Sequence, residues 1–171
     1  LLVLRVEDPM DNAQQPVGKQ WRWYTTASGI WQTVFLEPRH ATSIISFQVQ
    51  PDIDAGIARF RAGCVNAGEG CSLELEITGP DGTQQRVMAA VSRNFSRQDV
   101  KLERLVLWDP NAPALYRLVL RLKRGNAVLD TVHSYFGMRK IDFAISHESG
   151  VPTALRVNNV ARYLRGALYQ S

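Results

Sequence analysis

Ser72-Leu73-Glu74-Leu75-Glu76-Ile77, followed at once by Gly79-Pro80-Asp81-Gly82, sets the fold class. Apolar and acidic residues alternate with a period of two, which places Leu73, Leu75 and Ile77 on one face of a strand and the glutamates on the other. The next four residues form a turn, with proline fixing φ and glycine accepting positive φ. Working outward, the same period recurs. Ile45, Phe47 and Val49 share one face of a strand ending at Pro51. Ala58, Phe60, Ala62 and Cys64 alternate with Ile57, Arg59 and Arg61, and Arg86 to Val91 returns after the turn. Val100 to Trp108 is expected to be a further strand, stopped by Asp109 and Pro110. The run through Pro113 then reads as a crossing loop, because proline donates no ladder hydrogen bond. Tyr116, Leu118, Leu120 and Leu122 alternate with Arg117, Val119, Arg121 and Lys123, and a turn at Arg124, Gly125 and Asn126 leads into Val128 to Phe136. Seven strands within about a hundred residues predict an all-β, immunoglobulin-like antiparallel β-sandwich of constant-type strand count.

Both flanks differ from this block. Residues 1–37 carry an apolar strand over Leu1 to Val6, a polar loop with Pro9 and Pro16, an aromatic cluster at Trp21, Trp23 and Tyr24, and a strand over Ile30 to Leu36. Residues 139–171 read as one hairpin turning near Glu148 to Gly150, another turning at Asn158 and Asn159, and a last strand over Tyr163 to Leu168. The expected division is therefore 1–37, 38–138 and 139–171. The first residue is not Met and falls inside an alternating pattern, which predicts a piece of a longer polypeptide.

The 171 residues suit one full domain plus partial neighbours. A hydrophobic share of 45% and a charged share of 21% place the chain among globular proteins. No apolar run reaches membrane-spanning length. The net charge of +4 is dispersed along strands, as at Arg117, Arg121, Lys123 and Arg124, without the clustered basic stripe of a nucleic-acid interface. Neither a membrane nor a nucleic acid is an expected partner.

Catalytic constellations are sparse. His40, His133 and His147 lie in separate segments with no metal-ligand spacing, no serine sits in a nucleophile elbow, and Gly68 and Gly70 fit a hairpin better than a phosphate loop. Glu74 and Glu76 stand at outward strand positions, and Asp81 and Asp109 in turns. None of these faces a partner carboxyl across a cleft. Cys64 and Cys71 flank a six-residue glycine-containing stretch, so they are a candidate disulfide across one hairpin, if their Cα atoms come within about 7 Å. Two small apolar residues at strand ends explain them equally well. No metal and no cofactor is expected.

Several stretches carry a resemblance. Gly18, Lys19 and Gln20, with Ser28, Gly29, Ile30, Trp31 and the strand ending at Leu36 and Glu37, resemble the end of the jelly-roll sugar-binding domain of glycoside hydrolase family two. Leu107, Trp108, Pro110, Pro113, Leu115 and Tyr116 are similar to that family's Leu-Trp-x-Pro-x-x-Pro-x-Leu-Tyr signature. Phe136, Gly137, Met138 and Arg139 resemble the Phe-Gly-Phe-Arg that closes its immunoglobulin-like domain. Leu155 to Asn159 and Leu164 to Gly166 look like the hairpin and first strand opening its catalytic (β/α)₈ barrel. The chain departs from the pattern at Asn159, where the family usually has Gly, and at Leu168, Tyr169 and Gln170, where β-galactosidases often carry Asn-Arg-His.

The resemblance implies a parent enzyme that hydrolyses O-glycosidic bonds of terminal β-linked sugars with retention, through an acid/base and a nucleophile glutamate. The family places the acid/base after an asparagine. None of Glu7, Glu37, Glu69, Glu74, Glu76, Glu103 or Glu148 follows one, so both catalytic residues are expected beyond Ser171. Barrel active sites form at the C-terminal ends of strands, which makes Tyr169 and Gln170 the substrate-pocket candidates. The implied partner is the carbohydrate substrate of the parent, with a homodimer through the apolar edges of residues 1–37 as a second expectation. The competing reading is a stand-alone carbohydrate-binding or adhesion module, for which Trp21, Trp23 and Tyr24 are the stacking candidates.

Overall fold

Ten strands occur in the computed structural model, which describes residues 2–7, 29–30, 32–146, 148, 150–163 and 165–167; no helix occurs among them. The first seven are β1 (Ser43–Asp52), β2 (Ile57–Val65), β3 (Cys71–Thr78), β4 (Gln84–Ala90), β5 (Phe95–Lys101), β6 (Tyr116–Arg124) and β7 (Ala127–Phe136). They form two antiparallel sheets of order β1-β2-β5 and β4-β3-β6-β7. The strand count is that of a constant-type immunoglobulin sandwich, but β4 pairs with β3 rather than beside β5. A small third sheet follows, of order β10-β9-β8, from β8 (Ile141–Ile145), β9 (Pro152–Val157) and β10 (Val160–Ala161). Pro38–Leu164 constitute one compact unit, and Leu1–Glu37 with Arg165–Ser171 another.

Alternation sorts the residues as expected in the central strands. Leu73, Leu75 and Ile77 pair with Leu122, Leu120 and Leu118, and all six are fully buried. Small residues of β2, Ala58 and Ala62, flank Phe60 in the same core, so large side chains from one sheet meet short ones from the other. Phe60 meets Phe136 edge-on at 5.6 Å, and Tyr116 stacks on Phe136 at 5.1 Å.

Several expectations are corrected. Ile45 does not share the core face: the β1–β2 register shifts between Ile44 and Ser46, so Ile44 turns inward and Ile45 outward. No strand runs from Val100 to Trp108. β5 ends at Lys101, and the chain to Leu115 crosses without a ladder. Its backbone groups are satisfied otherwise, since the Tyr116 hydroxyl donates to the Arg104 carbonyl (2.9 Å) and accepts from the Val106 amide (2.7 Å). Tyr116 is buried, and its phenol anchors the crossing from the start of β6 in the manner of a tyrosine corner. Cys64 and Cys71 lie on β2 and β3, which belong to different sheets rather than to one hairpin, and both are buried free thiols. The strands expected over Leu1 to Val6, Ile30 to Leu36 and Tyr163 to Leu168 are absent among the described residues there, because no neighbouring strand offers a ladder.

Candidate functional site

The carboxylates named in the sequence do not assemble a hydrolytic pair. Glu74 is not a solvated surface residue. Only 8% exposed, it accepts from Arg121 (3.0 Å) and Lys123 (3.2 Å), while Glu76 accepts from Arg121 (2.8 Å) and Arg86 (2.9 Å). Lys123 holds the Glu74 carboxyl below the usual range, and Arg121 does the same for Glu76. A general acid needs the opposite displacement. Asp81 caps its own turn through the Thr83 amide, which likewise lowers its pKa. No group of three or more His, Cys, Asp or Glu arranged for a metal occurs among the described residues. Tyr169, Gln170, Trp21, Trp23, Tyr24 and His147 lie outside the described residues.

What the structure does assemble is a polar junction at the end of the sandwich where the chain leaves β7. The Trp108 amide donates to the Met138 carbonyl (3.0 Å), making a short parallel bridge between the crossing and the segment after β7. Asn158 then ties three segments together. Its side-chain amide donates to the Trp108 carbonyl (2.8 Å), its side-chain oxygen accepts from the Lys140 amide (3.0 Å), and its own amide donates to the Lys140 carbonyl (2.9 Å). Asn158 and Asn159 both have positive φ, 53° and 66°, as a two-residue β9–β10 turn requires, and asparagine tolerates this conformation better than most residues. Asn159, the departure from the family's glycine, donates to Asp54 (2.8 Å) and accepts from the Lys140 ammonium (2.9 Å). Lys140 also pairs with Asp54 at 2.7 Å, and Arg162 pairs with Asp109. The Lys140 bond is the main cause of the lowered Asp54 pKa, and Asp54 raises that of Lys140 in return.

The small sheet held by this junction has two unlike faces. Asp142 and Arg156 form a two-bond pair on one (2.8 and 2.7 Å). Ile141 and Phe143 lie on the other, and together with Ile145 they leave about half of each side chain exposed (54%, 54% and 51%). The junction holds the small sheet, and with it these half-exposed apolar side chains, against the sandwich.

Comparison with known proteins is consistent with this architecture. The model of glycosyl hydrolases family 2 matches residues 42–139, more than half of the chain. The chain belongs to this family. No curated protein sequence matches it. Among solved structures, it is similar to the β-glucuronidase of Bifidobacterium dentium complexed with coumarin-3-O-glucuronide, with a TM-score of 0.57 at 20% identity, covering 72% of this chain and 21% of that one. It is similar also to β-glucuronidase 3 of Bacteroides uniformis (TM-score 0.56, 21% identity, 74% and 15% covered) and to the β-glucuronidase of Parabacteroides merdae (0.57, 17%, 74% and 16%). At these identities the likeness establishes the fold, and the chain spans about a fifth or less of the length of those neighbours. The match from 42 to 139 takes in Trp108, Tyr116, Gly137 and Arg139. Gly137 owes its identity to close approach, because a Cβ there would lie 3.2 Å from the Trp108 Cβ.

Proposed function

We propose that this glycosyl hydrolase family 2 domain is the non-catalytic centre of a longer glycosidase, a rigid spacer between a sugar-binding jelly roll represented by residues 1–37 and a catalytic barrel opened by residues 139–171. The parent hydrolyses O-glycosidic bonds of terminal β-linked sugars with retention of configuration, and its acid/base and nucleophile glutamates lie outside these residues. Tyr169 and Gln170 line the substrate pocket of that parent.

The observation that supports this reading is the half-exposed row Ile141, Phe143 and Ile145 on a sheet that Asn158 and the Lys140–Asp54 pair clamp to the sandwich. A sheet face of that composition needs a cover, and burying three such side chains is worth several kcal/mol, at roughly 25 cal/mol per Å² of apolar surface. The downward displaced carboxyl groups of the sandwich support the same assignment from the chemical side. The test is direct. Purified chain assayed with nitrophenyl β-galactoside, β-glucuronide and β-mannoside should give no turnover. Turnover that co-purifies with the chain through successive columns would refute the spacer reading.

A further inference from the structure

Beside the junction, Trp108, Leu115, Tyr135, Phe136, Gly137 and Arg139 line a groove of about 300 Å³. Its construction is not that of an ordinary packing defect. Tyr135 ends the outward row of β7 with 67% of its surface exposed, although the core lies one residue away at Phe136. Gly137 contributes no side chain, which leaves the wall formed by the Trp108 indole open along the chain. The Arg139 guanidinium lies over that indole, 4.6 Å from its centre.

This corner of the sheet carries positive charge without an acidic partner among the described residues. On the outer face of β4-β3-β6-β7, Arg86, Arg121 and Lys123 all form ion pairs with Glu74 or Glu76. Arg117, the cross-strand partner of Tyr135, and Arg139 are both exposed, and neither makes an ion pair among the described residues. Its place over the Trp108 ring leaves the guanidinium N–H donors uncommitted, and an arginine can bind a carboxylate through two parallel hydrogen bonds.

We propose that this groove binds an acidic sugar, a pyranose ring carrying a carboxylate. The C–H face of the ring packs on the exposed Tyr135 ring and on Leu115, since the negative π face of an aromatic attracts polarised C–H bonds. The carboxylate takes the Arg139 fork, and Arg117 adds a second positive charge on the same side. A volume of about 300 Å³ lies at the small end of ligand pockets, which suits one sugar unit of a chain whose remainder stays in solvent. A neutral sugar would leave both cations unused. An acidic peptide would use the cations and leave the flat aromatic surface idle.

The test is titration of the full chain, followed by NMR of the tryptophan indole and arginine Nε signals, with galacturonic acid trimer, galactose trimer and an aspartate-rich peptide as separate probes. The acidic trimer should shift the Trp108 and Arg139 signals saturably, with an affinity falling as salt is raised. Arg139→Gln and Arg139→Lys should each weaken it at least tenfold, the lysine because it lacks the planar fork. Tyr135→Ala changes an exposed side chain and leaves the core intact, so it should weaken binding while the melting curve stays unchanged. The proposal is overturned if the acidic trimer gives no saturable shift, if the galactose trimer or the peptide binds equally well, or if binding survives both Arg139→Gln and Tyr135→Ala.

Discussion

Replacing Gly137 by alanine tests whether the junction is as tightly fitted as its hydrogen bonds imply. The added Cβ would stand 3.2 Å from Trp108 Cβ and 3.4 Å from both Cγ and Cδ1. Carbon atoms prefer about 3.5–4.0 Å, so the indole must yield by a few tenths of an ångström. Trp108 has little freedom to do so. Its amide is held by the Met138 carbonyl, its carbonyl by the Asn158 side chain, and Arg139 lies on its ring. Relief therefore requires the crossing before β6, or the segment after β7, to shift as a whole. Overpacking of this kind costs about 1–3 kcal/mol, which lowers the melting temperature of a domain of this size by roughly 3–10 °C. Gly68→Ala supplies the control. That glycine has no positive φ and nothing within 4 Å of a new Cβ, so alanine should be neutral or should stabilise by about 0.4–1 kcal/mol through the unfolded chain. Urea melts of both variants, with hydrogen exchange of the β8–β9 amides, would read the two effects. A Gly137→Ala protein within about 0.5 kcal/mol of the parent and with unchanged β8–β9 protection, a surface-like outcome, would refute the claim that this contact clamps the hairpin to the sandwich.

Tyr116→Phe should cost about 1–3 kcal/mol in thermal or urea unfolding, because it removes two part-buried hydrogen bonds, to the Arg104 carbonyl and from the Val106 amide, while leaving the ring packing intact. Acid should destabilise the sandwich. Glu74 and Glu76 are held below their ordinary value of 4.5, and Asp54, Asp81 and Asp142 below 3.8, so the stability they add is complete above those values and is lost as pH falls through the lower folded ones. The melting temperature should be flat from neutrality to about pH 5 and fall below about pH 4, and a rise between pH 5 and 3 would contradict the assignment. Burial raises the Cys64 thiol pKa, with Cys71 adding to the shift, so native protein should react slowly with an aromatic disulfide reagent and denatured, unreduced protein should titrate two thiols; none would show that a bond between the sheets forms after all. Leu2, Val3, Leu4, Val34, Phe35 and Leu36 are each more than half exposed, so self-association through residues 1–37 should appear in sedimentation and vanish on their deletion, while the sandwich still melts cooperatively.

β3 and β6 were legible because their two faces differ in chemistry: leucines and isoleucine alternate with charges, and the structure sorts them as written. β5 was not, because its inward positions are Ser96, Gln98 and Val100, and two polar residues facing Phe60 and Ala62 erase the period on which the reading depends. The apolar residues that extended the strand too far, Leu105 and Leu107, are exposed in the crossing, where Tyr116 supplies hydrogen bonds that a neighbouring strand would otherwise give. Ile45 misled for a related reason, since one bulge inverts the faces of everything before it. The junction is a different kind of miss. Asn158 and Asn159 form the turn that the sequence predicts, and that local reason fully accounts for asparagine at both places. Yet Asn158 also reaches Trp108, 50 positions away, and Asn159 reaches Asp54, 105 positions away. No local period records such a partner. A residue with one sufficient local explanation hides any second use from a single sequence, so tertiary clamps built on turn residues come into view only when the chain is folded. The substitution Asn158→Gly separates the two uses, because glycine keeps the positive φ and removes the side-chain bonds. Its cost should be about 1–3 kcal/mol if the clamp is real and near zero if the turn alone matters.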